Sequence, residues 1–313
     1  MFTLFKRRDF GDYVSDTFGF FRQTGKHYLK NYFTISGPLL LIMVVLSYFL
    51  FQVYFDFVLR FDRNGMDNSQ YLENYLSNNF LVVVAVALFF FLFLVFMSML
   101  SYAIPVIYFD LYDKHNGNSF SSKEILQQFK SRFGKILIFF LGTLFIITPL
   151  LILVFVVLIL LCFILIGIPL LLFAIPTAFS WITLSFFEYL NTDKGLFSAY
   201  GQGFRSILSQ YFPIVGSTMV IYIIIQITMS VFTMIPYMFG IVSMVSSTQN
   251  MEANGDAFST FRIMMTIVMV ISILMSYIMN NILMINQGLV YYSRIEHNEN
   301  KSADHSIDLI GSE

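Results

Sequence analysis

Four amide side chains are the best candidates for chemistry in this chain, because they lie in or near otherwise apolar runs. Asn280, Asn281 and Gln287 belong to one such run, and Gln226 belongs to another. Polar side chains at hydrocarbon depth are costly and often mark a substrate site or pathway. Amides also join helices through hydrogen bonds, for about 0.6–2 kcal/mol each. Joining helices is the favoured interpretation, and Asn280 and Asn281 are the candidates for lining a polar cavity.

Residue types that serve catalysis or metal binding do not form a recognisable constellation. The 4 histidines lie in polar segments and lack the spacing of metal ligands. The sequence contains no HExxH, P-loop or Gly-x-Ser-x-Gly motif. Methionine pairs at i, i+4 spacing, such as Met234 and Met238, could pass Cu(I), but adaptable packing is the more typical role of methionine. We therefore expect no catalytic residue, no metal site and no cofactor.

The composition is that of a chain embedded in a membrane. Of 313 residues, 57% are hydrophobic and 12% are charged, and the mean hydropathy is +0.74. A soluble domain would be about a quarter charged and under half apolar. The net charge of −1 gives no field that would favour nucleic acid, and the single cysteine, Cys162, excludes an intramolecular disulfide. This composition excludes an ordinary soluble enzyme and does not predict a nucleic-acid partner.

Long apolar runs predict an all-α membrane protein with six transmembrane helices. About twenty apolar residues cross the hydrocarbon core as a helix, and a segment that spans lipid must satisfy its backbone internally. Residues 136–187 contain no charge and are long enough for two helices, with a turn expected at the Gly-Ile-Pro sequence of 167–169. The predicted spans are about 33–58, 80–109, 136–166, 169–188, 211–239 and 261–291. They form one predicted domain, 1–295, which is followed by a hydrophilic tail, 296–313.

The distribution of basic residues predicts that both termini lie in the cytoplasm. Cytoplasmic segments near membrane spans are enriched in Lys and Arg. With the N-terminus inside, Arg60, Arg63 and Arg262 are the only members of the 18 Lys and Arg residues that fall in outer loops. The predicted topology is therefore N-in and C-in.

A similar segment precedes the first, third and fifth predicted spans. Residues 16–37 and 195–216 align at a constant offset, and a weaker copy occupies 124–142. The identical pairs in the first and third copies are Phe18/Phe197, Gln23/Gln202, Leu29/Leu208, Tyr32/Tyr211, Phe33/Phe212, Ile35/Ile214 and Gly37/Gly216. An internal repeat of this kind indicates a repeated structural unit. We expect three units, each an amphipathic helix followed by a transmembrane hairpin.

The amphipathic helices are predicted at about 10–30, 121–133 and 195–209, on the cytoplasmic side. Such a helix lies in the headgroup layer with its apolar face toward the membrane and its basic residues toward anionic lipid. The candidate headgroup contacts are Lys26, Lys30, Lys130, Arg132 and Arg205. The alternative is that these segments are ordinary loop helices packed under the bundle.

Several passages carry a resemblance to a known family. They include YFDLYDKHNGNSFSSKEIL after the second span, the copy at 195–216, and QGLVYYSRIEHNE at 287–299, where a tyrosine pair precedes Arg294. The chain resembles the bacterial membrane-domain family named after glycerophosphoryl diester phosphodiesterases, with its related six-helix integral membrane proteins of unknown function. The resemblance implies a mostly non-catalytic, multi-pass protein of the bacterial cytoplasmic (inner) membrane. Similar proteins often occur beside MoxR-type ATPases, which implies a subunit of a larger envelope complex.

Two functional hypotheses follow from these features. The first is a non-enzymatic inner-membrane scaffold or accessory subunit, whose partners are the lipid bilayer, other membrane proteins and a cytoplasmic ATPase. The alternative is a transporter or channel for a lipid-like or small solute. An odd number of hairpins argues against the two-halves plan of many secondary transporters. An enzyme that acts on lipid would need a cluster of His or acidic residues at one membrane face, and the sequence does not offer one.

Overall fold

The chain folds almost entirely into helices in a computed structural model. The structure describes residues 2–64, 68–247 and 254–300. This part of the chain contains no β-strand, and it includes 6 helical segments that are long and apolar enough to cross a membrane. These segments are Phe10–Gln52, Asn79–Lys114, Phe133–Cys162, Gly167–Asn191, Tyr211–Ser243 and Ser259–Glu299. The prediction of an all-α protein with six candidate membrane spans is confirmed.

The helices follow one another with short connections. Within the described ranges they are α1 (Phe10–Asn64), α2 (Asn68–Lys114), α3 (Ser122–Ser131), α4 (Phe133–Gly142), α5 (Thr148–Cys162), α6 (Gly167–Asn191), α7 (Leu196–Ser209), α8 (Tyr211–Ser247) and α9 (Asn254–Glu299). A π-helical turn over Thr143–Ile147 joins α4 to α5 within the third span. Pro149 opens α5 and cannot donate to the helical ladder, and a π-turn is a common accommodation of such a disruption. Of the predicted tail, residues 296–299 are the end of α9, and 301–313 lie outside the described residues.

The first amphipathic segment is not separate from the first span. The sequence predicts a helix over 10–30 and a span over 33–58, but α1 continues through the boundary between them without a break. In the other two copies a non-helical residue separates the amphipathic helix from the span. Arg132 (φ −101°, ψ 6°) separates α3 from α4, and Gln210 (φ −142°, ψ 54°) separates α7 from α8.

The first and third copies differ at one position that affects helix continuity. Pro213 lacks an N–H to donate to the carbonyl of Ser209, and its ring would clash with that carbonyl in a continuous helix. Thr34 occupies the matching position of α1 and imposes neither constraint. These constraints favour a break before α8, but a proline is neither sufficient nor necessary for one, since α1 continues through Pro38 and Arg132 separates α3 from α4 without a proline.

A tight turn over residues 163–166 connects α5 to α6. It lies immediately before the Gly-Ile-Pro sequence at which the turn was predicted. Leu165 has a left-handed backbone (φ 63°), and Gly167 begins α6. A Cβ atom on Gly167 would overlap the backbone of Leu158 and Cys162, so this close approach requires glycine.

The chain divides into two compact units. Unit 1 contains the described residues up to 35, residues 99–225, and the described residues from 279 onward. Its interior is rich in aromatic residues, and the fully buried rings include Tyr13, Phe20, Tyr28, Tyr32, Tyr108 and Phe109. Unit 2 contains residues 36–98 and the described part of 226–278. Within unit 2, the rings of Phe55 on α1 and Phe261 on α9 lie 6.2 Å apart.

Apolar side chains cover the surfaces of the spans. Between 6% and 39% of the most apolar window of each span is buried within the protein. Leu81 is 80% exposed and Phe145 is 71% exposed, for example. Soluble proteins rarely expose apolar patches on this scale, whereas a lipid bilayer covers them. The surface and the six spans together indicate a multi-pass membrane protein.

Candidate functional site

Buried polar side chains join four helices of unit 1. Asn286 and Gln287 on α9 are fully buried. Gln287 Nε2 donates to Thr218 Oγ1 on α8 at 2.7 Å, and Thr218 Oγ1 lies 3.1 Å from Ser180 Oγ on α6. Asn286 Nδ2 donates to Thr17 Oγ1 on α1 at 3.2 Å. These five side chains, here called the polar cluster, connect α1, α6, α8 and α9.

Most hydrogen-bonding groups of the polar cluster are satisfied within it. Thr218 Oγ1 also donates to the carbonyl of Ile214 at 2.8 Å, and Thr17 Oγ1 donates to the carbonyl of Tyr13 at 2.6 Å. Gln287 Oε1 is an exception, because it is buried without a hydrogen-bond partner among the described residues. The polar cluster therefore retains one unused acceptor.

Within unit 1, the predicted amides Asn281 and Gln287 have different hydrogen-bond partners. Asn281 is buried and accepts a hydrogen bond from the hydroxyl of Tyr28 on α1, whereas Gln287 bonds within the polar cluster. Asn280 is half-buried. Gln226 is exposed and belongs to unit 2. Asn281 and Gln287 thus each connect α9 to another helix, through different partners.

A buried carboxylate connects α6, the segment before α7, and α9 at one end of unit 1. The side chain of Glu188 is 4% exposed. Its Oε1 accepts from Lys194 Nζ at 2.6 Å, and its Oε2 accepts from Arg294 Nη2 at 3.0 Å. Arg294 Nη1 also donates to the carbonyl of Gln202 on α7 at 3.3 Å. Each oxygen of the buried Glu188 carboxylate thus has a cationic partner. We call Glu188, Lys194 and Arg294 the ion-pair lock.

A buried arginine holds the N-terminal segment, residues 2–9, against unit 1. The Arg8 side chain is fully buried, and it donates to Asp16 Oδ2 at 2.9 Å and to the Leu4 carbonyl at 2.7 Å. Burial lowers the pKa of Arg8, and the hydrogen bond to Asp16 acts in the opposite direction. The Arg8 backbone N–H donates to Ser293 Oγ on α9 at 3.0 Å. The segment therefore ties the beginning of α1 to the end of α9.

Arg132, predicted as a headgroup contact, has a partner inside the protein. Its side chain is 19% exposed, and its Nη2 lies 2.5 Å from Asp110 Oδ2 on α2. Asp110 Oδ2 also accepts from Lys114 Nζ at 3.0 Å. Arg132 thus links the break between α3 and α4 to the end of α2.

The other four predicted headgroup contacts have exposed side chains. They are Lys26 and Lys30 on α1, Lys130 on α3 and Arg205 on α7. None of the four forms an ion pair with another residue in the described ranges. Their charges are available to groups outside the chain.

Sequence reasoning missed three of these features. Asn286 stands beside Gln287 in the same apolar run, so the rule that identified Gln287 could also have identified Asn286. Arg8 was treated only as one of the basic residues near the N-terminus, and no local pattern predicts that its side chain turns inward. The pairing of Glu188 with Arg294 joins residues that are distant in sequence, and a single sequence does not reveal such a pair.

The side chains that join the elements of unit 1 are amides, hydroxyls and ion pairs. Among the residues that the structure describes, no group of three or more His, Cys, Asp or Glu side chains is arranged to hold a metal ion. Tyr200 on α7 is buried, and this burial raises its pKa to about 12. No protein-family model matches the chain, and neither a curated protein nor a solved structure is significantly similar to it.

Proposed function

We propose that this chain is a non-enzymatic scaffold or accessory subunit of a multi-protein complex in a bacterial inner membrane. The observation that carries the proposal is that the polar and charged side chains inside unit 1 bond mainly to one another. The polar cluster joins four helices, and the ion-pair lock attaches α7 and the segment before it to α9. Buried hydrogen bonds and ion pairs that join several helices favour one arrangement of those helices. A fixed arrangement is what a platform for other proteins requires.

Both termini lie on the cytoplasmic side in this proposal. The basic residues support it, because nearly all of them fall in segments on one side of the six spans. The two ends of the described chain also contact each other, which agrees with termini on the same side of the membrane. Arg8 bonds to Ser293, and Arg7 bonds to Asn300.

Two classes of partner fit this scaffold. The exposed apolar spans would contact lipid and the transmembrane helices of other membrane proteins. A cytoplasmic ATPase of the MoxR type is the second partner, and the family resemblance is its support. Such an ATPase would meet the end of unit 1 that carries the N-terminal segment, α3 and α7.

The alternative function is a transporter or channel, and one observation favours it. Gln287 Oε1 is a buried acceptor without a partner in the described part of the chain, within a cluster of uncharged polar groups. A solute pathway would need such groups at the level of the spans. In that case Gln287→Leu would abolish flux of the solute across reconstituted vesicles without unfolding the protein.

Affinity purification from native membranes tests the scaffold proposal. The tagged chain would be extracted in a mild detergent, washed with salt, and analysed by mass spectrometry. We expect a defined set of proteins in fixed stoichiometry. A tagged, unrelated six-helix protein expressed at the same level defines the background. A chain that elutes alone and monodisperse would contradict the proposal.

A further inference from the structure

Residues shared by the first and third copies of the repeat include large side chains that the fold leaves exposed. Phe18 is 40% exposed, and its counterpart Phe197 is 72% exposed. Phe33 is 40% exposed, and its counterpart Phe212 is 76% exposed. Packing within the chain does not account for identical aromatic residues at such positions. The first and third copies therefore share exposed aromatic side chains as well as buried residues.

In the first copy the two exposed rings flank a row of positive charge. At 100° per residue, Phe18, Lys26 and Phe33 fall within an arc of about 80° on α1. Arg22 and Lys30 lie one turn before and after Lys26, and all three basic side chains are exposed without an ion-pair partner in the described ranges. Like charges at i, i+4 spacing repel one another. This face would be stabilised by an external anion.

In the third copy Arg205 alone carries the positive charge, because Gly201 and Ser209 occupy the positions that match Arg22 and Lys30. Phe197 and Arg205 lie on α7 at the same spacing as Phe18 and Lys26, and Phe212 lies in the first turn of α8. Arg205 is exposed and likewise has no ion-pair partner among the described residues. The second copy differs, because Lys123, Ser131 and Ile138 occupy the matching positions when its Gly142 is aligned with Gly37.

We infer that each of these two surfaces binds an anionic phospholipid. Lys26 in one site and Arg205 in the other would bind the lipid phosphate, and the phenyl ring on the side of the span, Phe33 or Phe212, would contact the glycerol and upper acyl chains. Charge complementarity identifies the occupant, because a basic residue near the membrane surface attracts an anionic headgroup. An exposed phenyl ring on the side of the span favours an amphiphile over a soluble anion. This inference stands whether or not the chain binds other proteins.

The single tryptophan gives a direct probe of the site on α7. Trp181 on α6 donates its indole N–H to the Tyr200 carbonyl at 2.9 Å, and its ring centroid lies 5.6 Å from that of Phe204, the neighbour of Arg205. The full chain would be reconstituted in phosphatidylcholine vesicles that contain a fixed fraction of brominated lipid. Brominated phosphatidylglycerol should quench Trp181 more strongly than the same fraction of brominated phosphatidylcholine.

Two single variants distinguish binding at Arg205 from binding at Lys26. Arg205→Gln should weaken the apparent affinity for phosphatidylglycerol about five-fold at α7 and remove most of the excess quenching. Lys26→Gln should leave the excess quenching intact, since Trp181 reports on the other site. Both side chains are exposed, and unchanged thermal unfolding of each variant would confirm that the fold is preserved.

Native mass spectrometry of the same proteins counts the retained lipids. We expect two retained phosphatidylglycerol molecules in the wild type, one in each variant, and two in Lys123→Gln, which removes an exposed charge from the second copy. Excess quenching that survives Arg205→Gln would overturn the inference, as would equal lipid retention in all four proteins. Loss of the excess quenching in millimolar inorganic phosphate would indicate a free-phosphate site and would also overturn it.

Discussion

At the residue scale, the charges that matter most are those that the protein buries. Arg8 and Glu188 lie inside unit 1, and each has partners on more than one element. A buried charge that is fully paired contributes little net stability, but removal of one partner leaves the other uncompensated. Substitution of either residue should therefore lower the stability of the protein more than substitution of an exposed charged residue.

Arg8→Gln is expected to release the N-terminal segment from unit 1. The variant loses hydrogen bonds from a charged donor, each worth about 1.5–3 kcal/mol, so amide exchange at residues 2–8 should accelerate at least about ten-fold. Hydrogen–deuterium exchange with mass spectrometry measures this directly. Arg7→Gln is the comparison, because Arg7 is exposed and bonds only to Asn300, so its exchange should accelerate less than that of Arg8→Gln. Equal exchange in the two variants would rule out the proposed role of Arg8.

Glu188→Gln should destabilise the protein by about 2–3 kcal/mol, because Arg294 loses its carboxylate partner in a mostly buried position. The estimate lies below the range for a fully buried pair, since the Arg294 side chain is 19% exposed and Lys194 is 42% exposed. Unfolding in detergent would be followed by circular dichroism. Asp193→Asn breaks an exposed ion pair with Lys135 and should have no measurable effect.

Asn286→Leu should lower the free energy of unfolding by about 1–2 kcal/mol, because it removes a hydrogen bond between α9 and α1. Gln226→Leu changes an exposed amide in the same way and should leave stability unaffected. Chemical unfolding of both variants in the same detergent compares them. Identical midpoints would indicate that the polar cluster does not hold the helices together.

At the element scale, α6 and α7 approach each other through a glycine. A Cβ atom on Gly203 would overlap Ser185 Oγ and lie 2.9 Å from the Ser185 backbone nitrogen, which cannot move aside. Gly203 and Gly201 are both inside α7, and a Cβ atom on Gly201 meets nothing within 4 Å. The two positions therefore differ in packing while sharing the same helix.

Gly203→Ala should destabilise the contact between α6 and α7, whereas Gly201→Ala should stabilise α7 by about 0.5–1 kcal/mol through helix propensity. The intrinsic fluorescence of Trp181, which bonds to Tyr200 on α7, reports separation of the two helices during thermal unfolding. A lower midpoint for Gly203→Ala and an unchanged or higher one for Gly201→Ala are expected. The opposite order would show that the two helices are not in close contact.

The helical elements could be predicted from the sequence, and the breaks between them only in part. Length and apolar composition identify a spanning helix, because lipid leaves the backbone few alternatives. The repeat implied that its copies share one structure, yet α1 is continuous where α7 and α8 are separate. Pro213 opposite Thr34 is one local difference between these copies, but it does not by itself predict the break, because α1 continues through Pro38.

At the scale of the whole molecule, the sequence located residues at the level of the spans but did not predict their partners. Gln287 and Asn281 were identified as polar residues in an apolar run, and both are buried. Their bonds to Thr218 and Tyr28 depend on which helices lie side by side, and periodicity within a helix does not encode that. Gln226 was grouped with them from composition alone, and its exposed position in unit 2 shows the limit of that reasoning.

The central claim is that the chain acts as one subunit of a complex. Blue native electrophoresis of mildly solubilised membranes, with mass spectrometry of the band that contains the chain, tests it most directly. We predict a discrete band well above the position of the purified 36.3 kDa chain in the same detergent, and it should contain other proteins in fixed ratio. A band at the position of the purified chain, or a larger one that contains only this chain, would contradict the claim.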